Sequence, residues 1–391
     1  MSERKKIAAI TTTYQHRSHA DVLLGKFISG FPTDDGHIEP RVEVASVYLD
    51  QIHENDMCIG LAKEYGFEMH ESIQAALCLG GKELAVDAVL IVGEHGDYPW
   101  NEKDQHLYPR KYFFEQVCGV FAYNGRSVPV FNDKHLSYNW ADTNWMWQRA
   151  RELEVPFMAG SSIPYAWRSP WIELEKGVEF DEVVAVGYGG TESYGFHMLE
   201  GLQCMVERRE GGEVGVNSVQ CLEGDDVWRA AEDGLWSSEL AAAACSKMEK
   251  KPEGDIKDLA KNPVVFLVEY RDGLKAAAAM LNGYASNFGF AAKIGGEIQA
   301  LDFYLPFGEP WAHFSYLGLN IEEMFITGEP IVGAERTVLT SGILEAAMNS
   351  RHDGYRELQT PHLDVAYESY DHIPFHPQKP RPVGPAVGSG S

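Results

Sequence analysis

The first 160 residues alternate short apolar runs with segments of helical spacing. The apolar runs have the length of buried strands, and each is followed by a segment whose apolar positions recur every three or four residues. The predicted strands are residues 7–10, 42–49, 85–93, 128–132 and 156–160. The predicted helices are residues 19–29, 56–65, 71–79, 112–125 and 140–154. Such alternation predicts an α/β domain with a Rossmann-like, doubly wound parallel sheet.

The pattern changes after residue 160, where strands follow one another without a helix between them. We predict a long strand at 178–189, a helix at 194–208, two strands around the Asp272-Gly273 turn, further strands in 290–305 and a helix at 337–354. Consecutive strands indicate a second, α+β domain with an open, largely antiparallel sheet. The predicted divisions are residues 1–160, residues 161–376 and a flexible tail at 377–391 that is rich in Pro, Gly and Ser.

Composition narrows the classes of partner. The 391 residues are 45% hydrophobic and 23% charged, as in an ordinary globular protein with a substantial core. A net charge of −25 repels nucleic-acid phosphates and anionic lipids, so we expect neither nucleic-acid nor membrane partners. Six scattered cysteines without a CxxC pair, and a basic start that passes directly into a strand, predict a reduced cytoplasmic protein.

The loop after the first predicted strand reads TTTYQHRSHA and contains no glycine. Dinucleotide-binding folds carry a glycine-rich turn at this place, because the backbone there approaches a pyrophosphate closely. Hydroxyls of Thr11, Thr12 and Thr13 and the guanidinium of Arg17 can replace that contact at the start of a helix. Asp50 ends the second strand, where an acidic residue binds the adenosine ribose. These residues are the candidate contacts of a dinucleotide, NAD or NADP, if the chain binds one without the glycine-rich turn.

The segment GEHGDYPWNEKDQHLYPR at 93–110 concentrates histidine and carboxylate side chains after a buried strand. Glu94, His95, Asp97 and His106 are candidate ligands of a divalent metal such as Zn or Mn, because borderline metals accept imidazole and carboxylate together. Glu94 is also a candidate cofactor-binding residue. A metal shared by the histidines of several loops and a solvated polar loop over the crevice are the alternatives. The histidines of the shared-metal alternative are His16, His19, His95 and His135.

Four segments in order resemble the Gfo/Idh/MocA family, named after glucose–fructose oxidoreductase and inositol dehydrogenase. His19-Ala20 resembles the start of that family's first helix, and Phe131–His135 takes the place of its Glu-Lys-Pro motif. Tyr194–Glu200 resembles its Asp-x-Gly-x-His-x-x-Asp helix, and Leu344–Ser350 resembles the C-terminal helix that packs back on the first domain. The resemblance covers residues 6–355 and implies a Rossmann domain followed by a domain that holds substrate and forms oligomers through an open sheet.

The resemblance also implies a set of catalytic residues. Lys134 corresponds to the family's catalytic lysine, and His197 takes the place of its histidine. An ammonium or imidazolium near a carbonyl that accepts hydride stabilises and protonates the developing oxyanion. His95 and His135 lie in the segments expected at the same sheet edge, so they are further catalytic candidates. The chain departs from the family pattern by Asp133 and His135 for Glu and Pro, and by Ser193 for the first Asp.

Two functions follow from these patterns. The first is an NAD(P)-dependent oxidoreductase of a sugar, inositol or related polyol, and the second is an NAD-independent, metal-assisted hydrolase or lyase that uses loop 93–110. A catalytically silent binding protein is a third reading. The partners are a small-molecule substrate and a second copy of the chain, as a dimer or tetramer. Candidate substrate contacts are aromatic and arginine side chains, which suit polyhydroxylated or carboxylated ligands: Tyr108, Arg110, Tyr165, Trp167 and Arg168.

Overall fold

The computed structural model describes residues 4–250, 253–306 and 308–380. It contains two large sheets, one from each half of the chain. No helix in the described ranges is both long and apolar enough to cross a membrane. All six cysteines are buried and unpaired.

The first sheet has six parallel strands in the order β5–β4–β1–β6–β7–β8. The strands of this half are β1 Lys5–Thr11, β2 Phe31–Thr33, β3 Gly36–Ile38, β4 Val42–Leu49, β5 Glu68–His70, β6 Ala88–Val92, β7 Val130–Asp133 and β8 Phe157–Gly160, of which β2 and β3 form a separate two-stranded ribbon. Every residue of β6 is buried because helices cover both faces of the sheet. The predicted Rossmann-like sheet is confirmed.

Helices connect these strands. They are α1 Gly25–Ser29, α2 Cys58–Tyr65, α3 Ile73–Leu77, α4 Arg110–Asn124 and α5 Trp140–Glu152, and a π-helical turn at Ala20–Leu24 runs directly into α1. Local sequence sets their ends. α4 ends at Gly125, whose φ of +60° suits glycine, and α5 begins where the Asn139 side chain accepts from the Asp142 amide at 2.8 Å.

The second half forms an eight-stranded sheet in the order β17–β12–β13–β14–β10–β15–β16–β9, in which only β10 and β14 pair in parallel. Its strands are β9 Trp167–Ser169, β10 Glu182–Gly187, β11 Glu213–Val214, β12 Val216–Glu223, β13 Val264–Tyr270, β14 Lys275–Met280, β15 Phe288–Ile294, β16 Glu297–Tyr304, β17 Leu358–Gln359 and β18 Ala366–Tyr367, with β11 and β18 paired apart from it. Its helices are α6 Ser193–Val206, α7 Asp225–Glu232, α8 Ser238–Cys245, α9 Ile256–Leu259, α10 His313–Thr327 and α11 Glu335–His352. The largely antiparallel second sheet is confirmed.

Helices pack on both faces of this second sheet. One face packs on α6 and α11, and the other packs on α7 and α8, with α8 lying against β10, β15 and β16 and α7 against β12. The resemblance led us to expect an exposed sheet face for oligomer formation, but α7 and α8 cover that face. A dimer or tetramer therefore stays a prediction, and this sheet face is not available to form its interface.

Helix α10 was not predicted from the sequence. It leaves the second half and packs on the first sheet, where Phe314 and Phe325 join the cluster that contains Phe27 and Phe31. Most of its fifteen residues are buried, so its sequence lacks the polar face that marks a surface helix. Because its first residues lie beside the π-helical turn, α10 brings side chains of the second half to the edge of the first sheet.

Gly160, at the end of β8, supports a stability prediction. Its φ is +125°, and a Cβ there would lie 2.6 Å from Glu200 Oε2 and 2.7 Å from Thr337 Oγ1. Gly160→Ala is expected to lower the free energy of unfolding by about 2–4 kcal/mol, from the backbone conformation and the overpacking together. Gly177→Ala is the control, because Gly177 has a φ of +86° but open space around it. Equal losses in urea unfolding would contradict the close packing of β8 on α6 and α11.

Candidate active site

A cleft of about 920 Å³ opens at the carboxyl ends of the first sheet's strands. This edge is where open α/β sheets place their ligand sites, and the volume suits a small molecule with a cofactor. The opening loop and loop 93–110 form one side, and α6, β15 and the start of α10 form the other. Its central lining residues are Arg17, His19, Glu94, His95, Lys134, Tyr194, His197, Phe288 and Phe314.

A buried ion-pair network lies at the centre of the cleft. Lys134 Nζ donates to Glu94 Oε1 at 3.0 Å, and Arg110 forms an ion pair with the other carboxylate oxygen. Lys134 follows β7 with a φ of +57° and is only 4% exposed. Burial acts to raise the pKa of Glu94, but Lys134 and Arg110 outweigh burial and hold that pKa well below its usual range. Glu94 therefore holds Lys134 Nζ at the wall of the cleft.

Three histidine rings meet beside this network. The ring centroids of His19 and His95 lie 5.5 Å apart, and those of His19 and His197 lie 6.3 Å apart. His19 Nδ1 lies 2.7 Å from Asp133 Oδ2, and the His19 main-chain amide donates to His95 Nδ1 at 3.4 Å. The sequence analysis grouped His19 with possible metal ligands and did not predict its contact with Asp133.

Burial keeps two of these rings neutral. It lowers the pKa of His95 to about 4, and the neighbouring His19 contributes in the same direction. Burial and then Lys134 lower the pKa of His197 well below its usual value. His197 Nδ1 lies 2.5 Å from Ser161 Oγ, a hydroxyl that the sequence analysis did not single out.

His135 lies behind the cleft rather than in it. The side chain is 2% exposed, and Nε2 lies 3.2 Å from Arg110 Nη1 and 3.7 Å from Glu192 Oε1. Burial and then Arg110 lower the pKa of His135. Arg110 is itself fully buried, so the structure gives both residues a supporting position instead of the predicted catalytic and substrate-binding ones. Glu192 does line the cleft. It directly precedes Ser193, the position that corresponds to the first Asp of the family's helix motif.

The opening loop is tied to its own neighbours. Thr11, Thr12 and Thr13 are buried, and Thr12 Oγ1 donates to the Glu94 carbonyl at 2.7 Å. Main-chain amides that a glycine-rich turn would offer to a phosphate bind this chain instead: the Arg17 amide donates to Asp21 Oδ2 at 2.8 Å. The three threonines therefore do not line the cleft. The side chains of Gln15, Arg17 and His53 do.

Asp50 ends β4 as predicted, and loop 93–110 reaches across to it. The hydroxyls of Tyr48 and Tyr98 each donate to the Asp50 carboxylate at 2.6 Å. Beside them, the Gln51 side chain exchanges two hydrogen bonds with the Asp97 main chain. The long loop is thus a fixed wall of the cleft. The hydroxyl of its Tyr98 is hydrogen-bonded to the Asp50 carboxylate, the group that was expected to bind a ribose.

The proposed metal ligands of this loop are not brought together. Among the described residues, no three His, Cys, Asp or Glu side chains are grouped to hold a metal ion. Glu94 is held by Lys134 and Arg110, and His106 stacks on Trp100 with 4.2 Å between ring centroids while its Nε2 contacts the Tyr98 carbonyl at 2.9 Å. The structure gives the Zn or Mn interpretation no support. The shared-metal set also fails, because His135 is behind the cleft and His16 pairs with Asp21.

Three of the predicted substrate contacts are buried in the linker between the two halves. Trp167 and Arg168 belong to β9, which pairs with β16, and Arg168 Nη1 donates to the Ile172 carbonyl at 2.9 Å. Tyr165 is also buried and lies outside the cleft. The aromatic residues that do line the cleft come from loop 93–110, from α6 and the segment before it, from β15 and from around the start of α10: Trp100, Tyr108, Tyr188, Tyr194, Phe288, Trp311 and Phe314. Only Tyr108 among them was predicted.

Comparison with known proteins yields similar structures but no similar sequences. No protein-family profile and no curated protein sequence matches the chain. GenD2 from gentamicin A biosynthesis, crystallised with NAD, is similar with a TM-score of 0.57 and 16% identity, over 92% of this chain and 97% of that one. Scyllo-inositol dehydrogenase from Lactobacillus casei, with bound NAD(H) and scyllo-inositol, is similar with a TM-score of 0.55 and 9% identity, over 91% of this chain and 99% of that one. Aldose-aldose oxidoreductase from Caulobacter crescentus is similar with a TM-score of 0.53 and 12% identity, over 91% of this chain and 100% of that one.

These matches define the class of fold. The chain has the two-domain fold of Gfo/Idh/MocA-type sugar and inositol dehydrogenases, which confirms the fold implied by the four resembling segments. The identities are too low to carry an activity over from those proteins.

Proposed function

We propose that this protein is an NAD(P)-dependent oxidoreductase that interconverts a hydroxyl and a carbonyl group on a sugar, an inositol or a related polyhydroxylated molecule. The observation that carries the proposal is the Lys134–Glu94 pair, buried in a cleft at the carboxyl edge of a parallel sheet. Support also comes from the proteins of similar fold named above, which are GenD2 with bound NAD, a scyllo-inositol dehydrogenase with bound NAD(H) and an aldose-aldose oxidoreductase. A metal-assisted reaction gains no such support.

The side chains at the first-sheet end of the cleft fit a dinucleotide in an unusual way. The main-chain amides of Arg17 and His19 already donate within the chain. The proposed contacts are therefore the side chains of Gln15, Arg17 and His53. His53 Nε2 is buried without a hydrogen-bond partner among the described residues, and Arg17 supplies a positive charge. Asp50 remains a proposed ribose contact for which the Tyr98 hydroxyl competes. A bound nicotinamide supplies the acceptor or donor of hydride.

The chain's own residues orient the substrate and stabilise charge. A substrate hydroxyl placed between Lys134 and His197 meets an ammonium and an imidazole at the point where an alkoxide develops. The rings of Tyr194 and Phe288, stacked with 6.0 Å between centroids, offer an apolar surface to the carbon face of a sugar or inositol. The aromatic wall of loop 93–110 closes the opposite side and reduces access of water.

Dinucleotide binding tests this proposal directly. Titration calorimetry with NAD⁺ and NADP⁺ is expected to show saturable binding of at least one of them to the wild-type protein. Arg17→Gln is expected to weaken that binding about tenfold or more, because a charge-assisted contact to phosphate contributes about 1.5–3 kcal/mol. Arg229→Gln is the matched control, since Arg229 is an exposed arginine of α7. No binding of either dinucleotide to the wild type, or equal effects of the two variants, would contradict the proposed cofactor site.

A further inference from the structure

The three histidines that meet beside the Lys134–Glu94 pair differ in which ring nitrogen is left with a free lone pair. His95 accepts at Nδ1 from the main-chain amide of His19. A neutral ring that accepts at Nδ1 carries its proton on Nε2. Because burial holds the pKa of His95 at about 4, this ring is neutral and presents an N–H group at Nε2. His95 is therefore a hydrogen-bond donor and cannot take a proton from a substrate.

The contact with Ser161 makes His197 a hydrogen-bond donor at Nε2 as well. The main-chain amide of Ile163 donates to Ser161 Oγ at 3.1 Å, which uses one lone pair of the hydroxyl. The hydroxyl proton then has His197 Nδ1, at 2.5 Å, as its acceptor. This arrangement places the His197 proton on Nε2. His197 is thus also a donor, although the resemblance suggested a proton-transfer role.

His19 has the opposite arrangement. Its Nδ1 lies 2.7 Å from the Asp133 carboxylate, which accepts and therefore requires the proton on Nδ1. Asp133 is 1% exposed and lies at the end of β7, directly before Lys134. Within the described residues nothing bonds to His19 Nε2, and the side chain is 13% exposed in the wall of the cleft. Of the three rings, only His19 offers a lone pair to a ligand.

We propose that His19 and Asp133 form the catalytic acid–base dyad of this cleft, with His19 Nε2 as the atom that takes and returns the substrate proton. The inference rests on the proposed oxidoreductase function. In the oxidising direction the substrate O–H bond breaks and an N–H bond forms at Nε2. The carbinol C–H bond breaks, its electron pair leaves as hydride for the oxidised nicotinamide, and the C–O bond becomes a carbonyl. Asp133 stabilises the imidazolium that results, and Lys134 stabilises the alkoxide.

The surroundings of His19 set the expected pH dependence. The dyad loses its base when His19 is protonated in the free enzyme, so oxidation is expected to decline as the pH falls. Besides Asp133, other ionisable groups of the cleft surround the ring. Those groups are Glu94, His95, Lys134, His197 and His313.

Kinetics of Asp133→Asn, His19→Gln and His16→Gln test the dyad. An asparagine amide can donate to His19 Nδ1 and move the proton to Nε2, so Asp133→Asn is expected to lower kcat about 10²–10⁴-fold and to remove the acidic limb of the pH profile. His19→Gln is expected to give a similar loss, whereas His16→Gln, an exposed histidine of the same loop, is expected to leave kcat unchanged. An unchanged acidic limb in both dyad variants would overturn the proposal.

Imidazole NMR of the ¹⁵N-labelled wild-type protein tests the dyad without any turnover. The expected neutral tautomers are Nδ1–H for His19 and Nε2–H for His95 and His197. A His19 ring protonated at Nε2 would overturn the dyad, whatever the activity. If the wild type shows the expected tautomers but transfers no hydride between any polyol and either dinucleotide, the oxidoreductase proposal fails while the dyad stands. The two failures are therefore distinguishable.

Discussion

Lys134→Met is expected to lower kcat about 10²–10⁴-fold while the protein stays folded. Methionine keeps most of the length of the lysine but removes the ammonium that faces the cleft, so a developing alkoxide loses its nearest positive charge. Glu94 keeps its ion pair with Arg110, which leaves the buried carboxylate partnered. Lys134→Arg is not expected to restore activity, because a planar guanidinium does not reproduce the point charge of an ammonium.

Lys111→Met provides the control for this loss. Lys111 lies on α4 in an exposed ion pair with Glu115, outside the cleft. Its replacement is expected to leave kcat within about twofold of the wild type, since exposed pairs contribute little. Steady-state rates and circular dichroism spectra of both variants make the comparison. A folded Lys134→Met variant with nearly wild-type kcat would contradict the assignment of Lys134 to the chemistry.

Arg336→Leu is expected to lower the free energy of unfolding by about 3–5 kcal/mol. Arg336, at the start of α11, pairs with Glu207 through two hydrogen bonds, one of them 2.8 Å between Nε and Oε2. Both side chains are buried, so the variant leaves the Glu207 carboxylate with the Tyr367 hydroxyl, at 2.9 Å, as its one side-chain partner among the described residues. This pair joins α11 to the end of α6, the helix that carries His197.

The matched control is Arg356→Leu, because Arg356 forms an exposed ion pair with Asp353 just beyond the same helix. Its loss is expected to cost less than about 1 kcal/mol. Urea unfolding followed by tryptophan fluorescence measures both changes. Similar small losses in the two variants would show that the contact between α6 and α11 does not depend on the buried pair.

The sequence predicted the architecture because apolar periodicity and strand length determine it locally. Five of the six strands of the first sheet follow from apolar runs such as residues 88–92, a fully buried strand uninterrupted by polar side chains, whereas β5 has no such run. Helix α10 was missed because nearly all of it is buried, which removes the amphipathic signal. The sequence did not predict that α7 and α8 cover one face of the second sheet, because that contact joins segments that lie far apart in the chain.

The site was predicted less completely because its contacts are long-range. Lys134 and His197 were identified through the resemblance, and both do line the cleft. The pairing of His19 with Asp133 joins residues 114 positions apart, and no spacing rule predicts such a contact. Arg110 and Arg168 were predicted to contact substrate, but both side chains point into the interior. Arg110 forms an ion pair with Glu94, and Arg168 donates to the Ile172 carbonyl. Sequence composition carries no information on that direction.

The central claim is that this cleft transfers hydride between a polyhydroxylated substrate and a nicotinamide dinucleotide. The most direct measurement is the nicotinamide absorbance when the purified protein is mixed with NAD⁺ or NADP⁺ and a panel of inositols, aldoses and sugar acids. We expect at least one combination to form reduced nicotinamide at a rate proportional to protein concentration, and Lys134→Met to abolish that rate. No absorbance change with any combination, together with no calorimetric binding of either dinucleotide, would contradict the account.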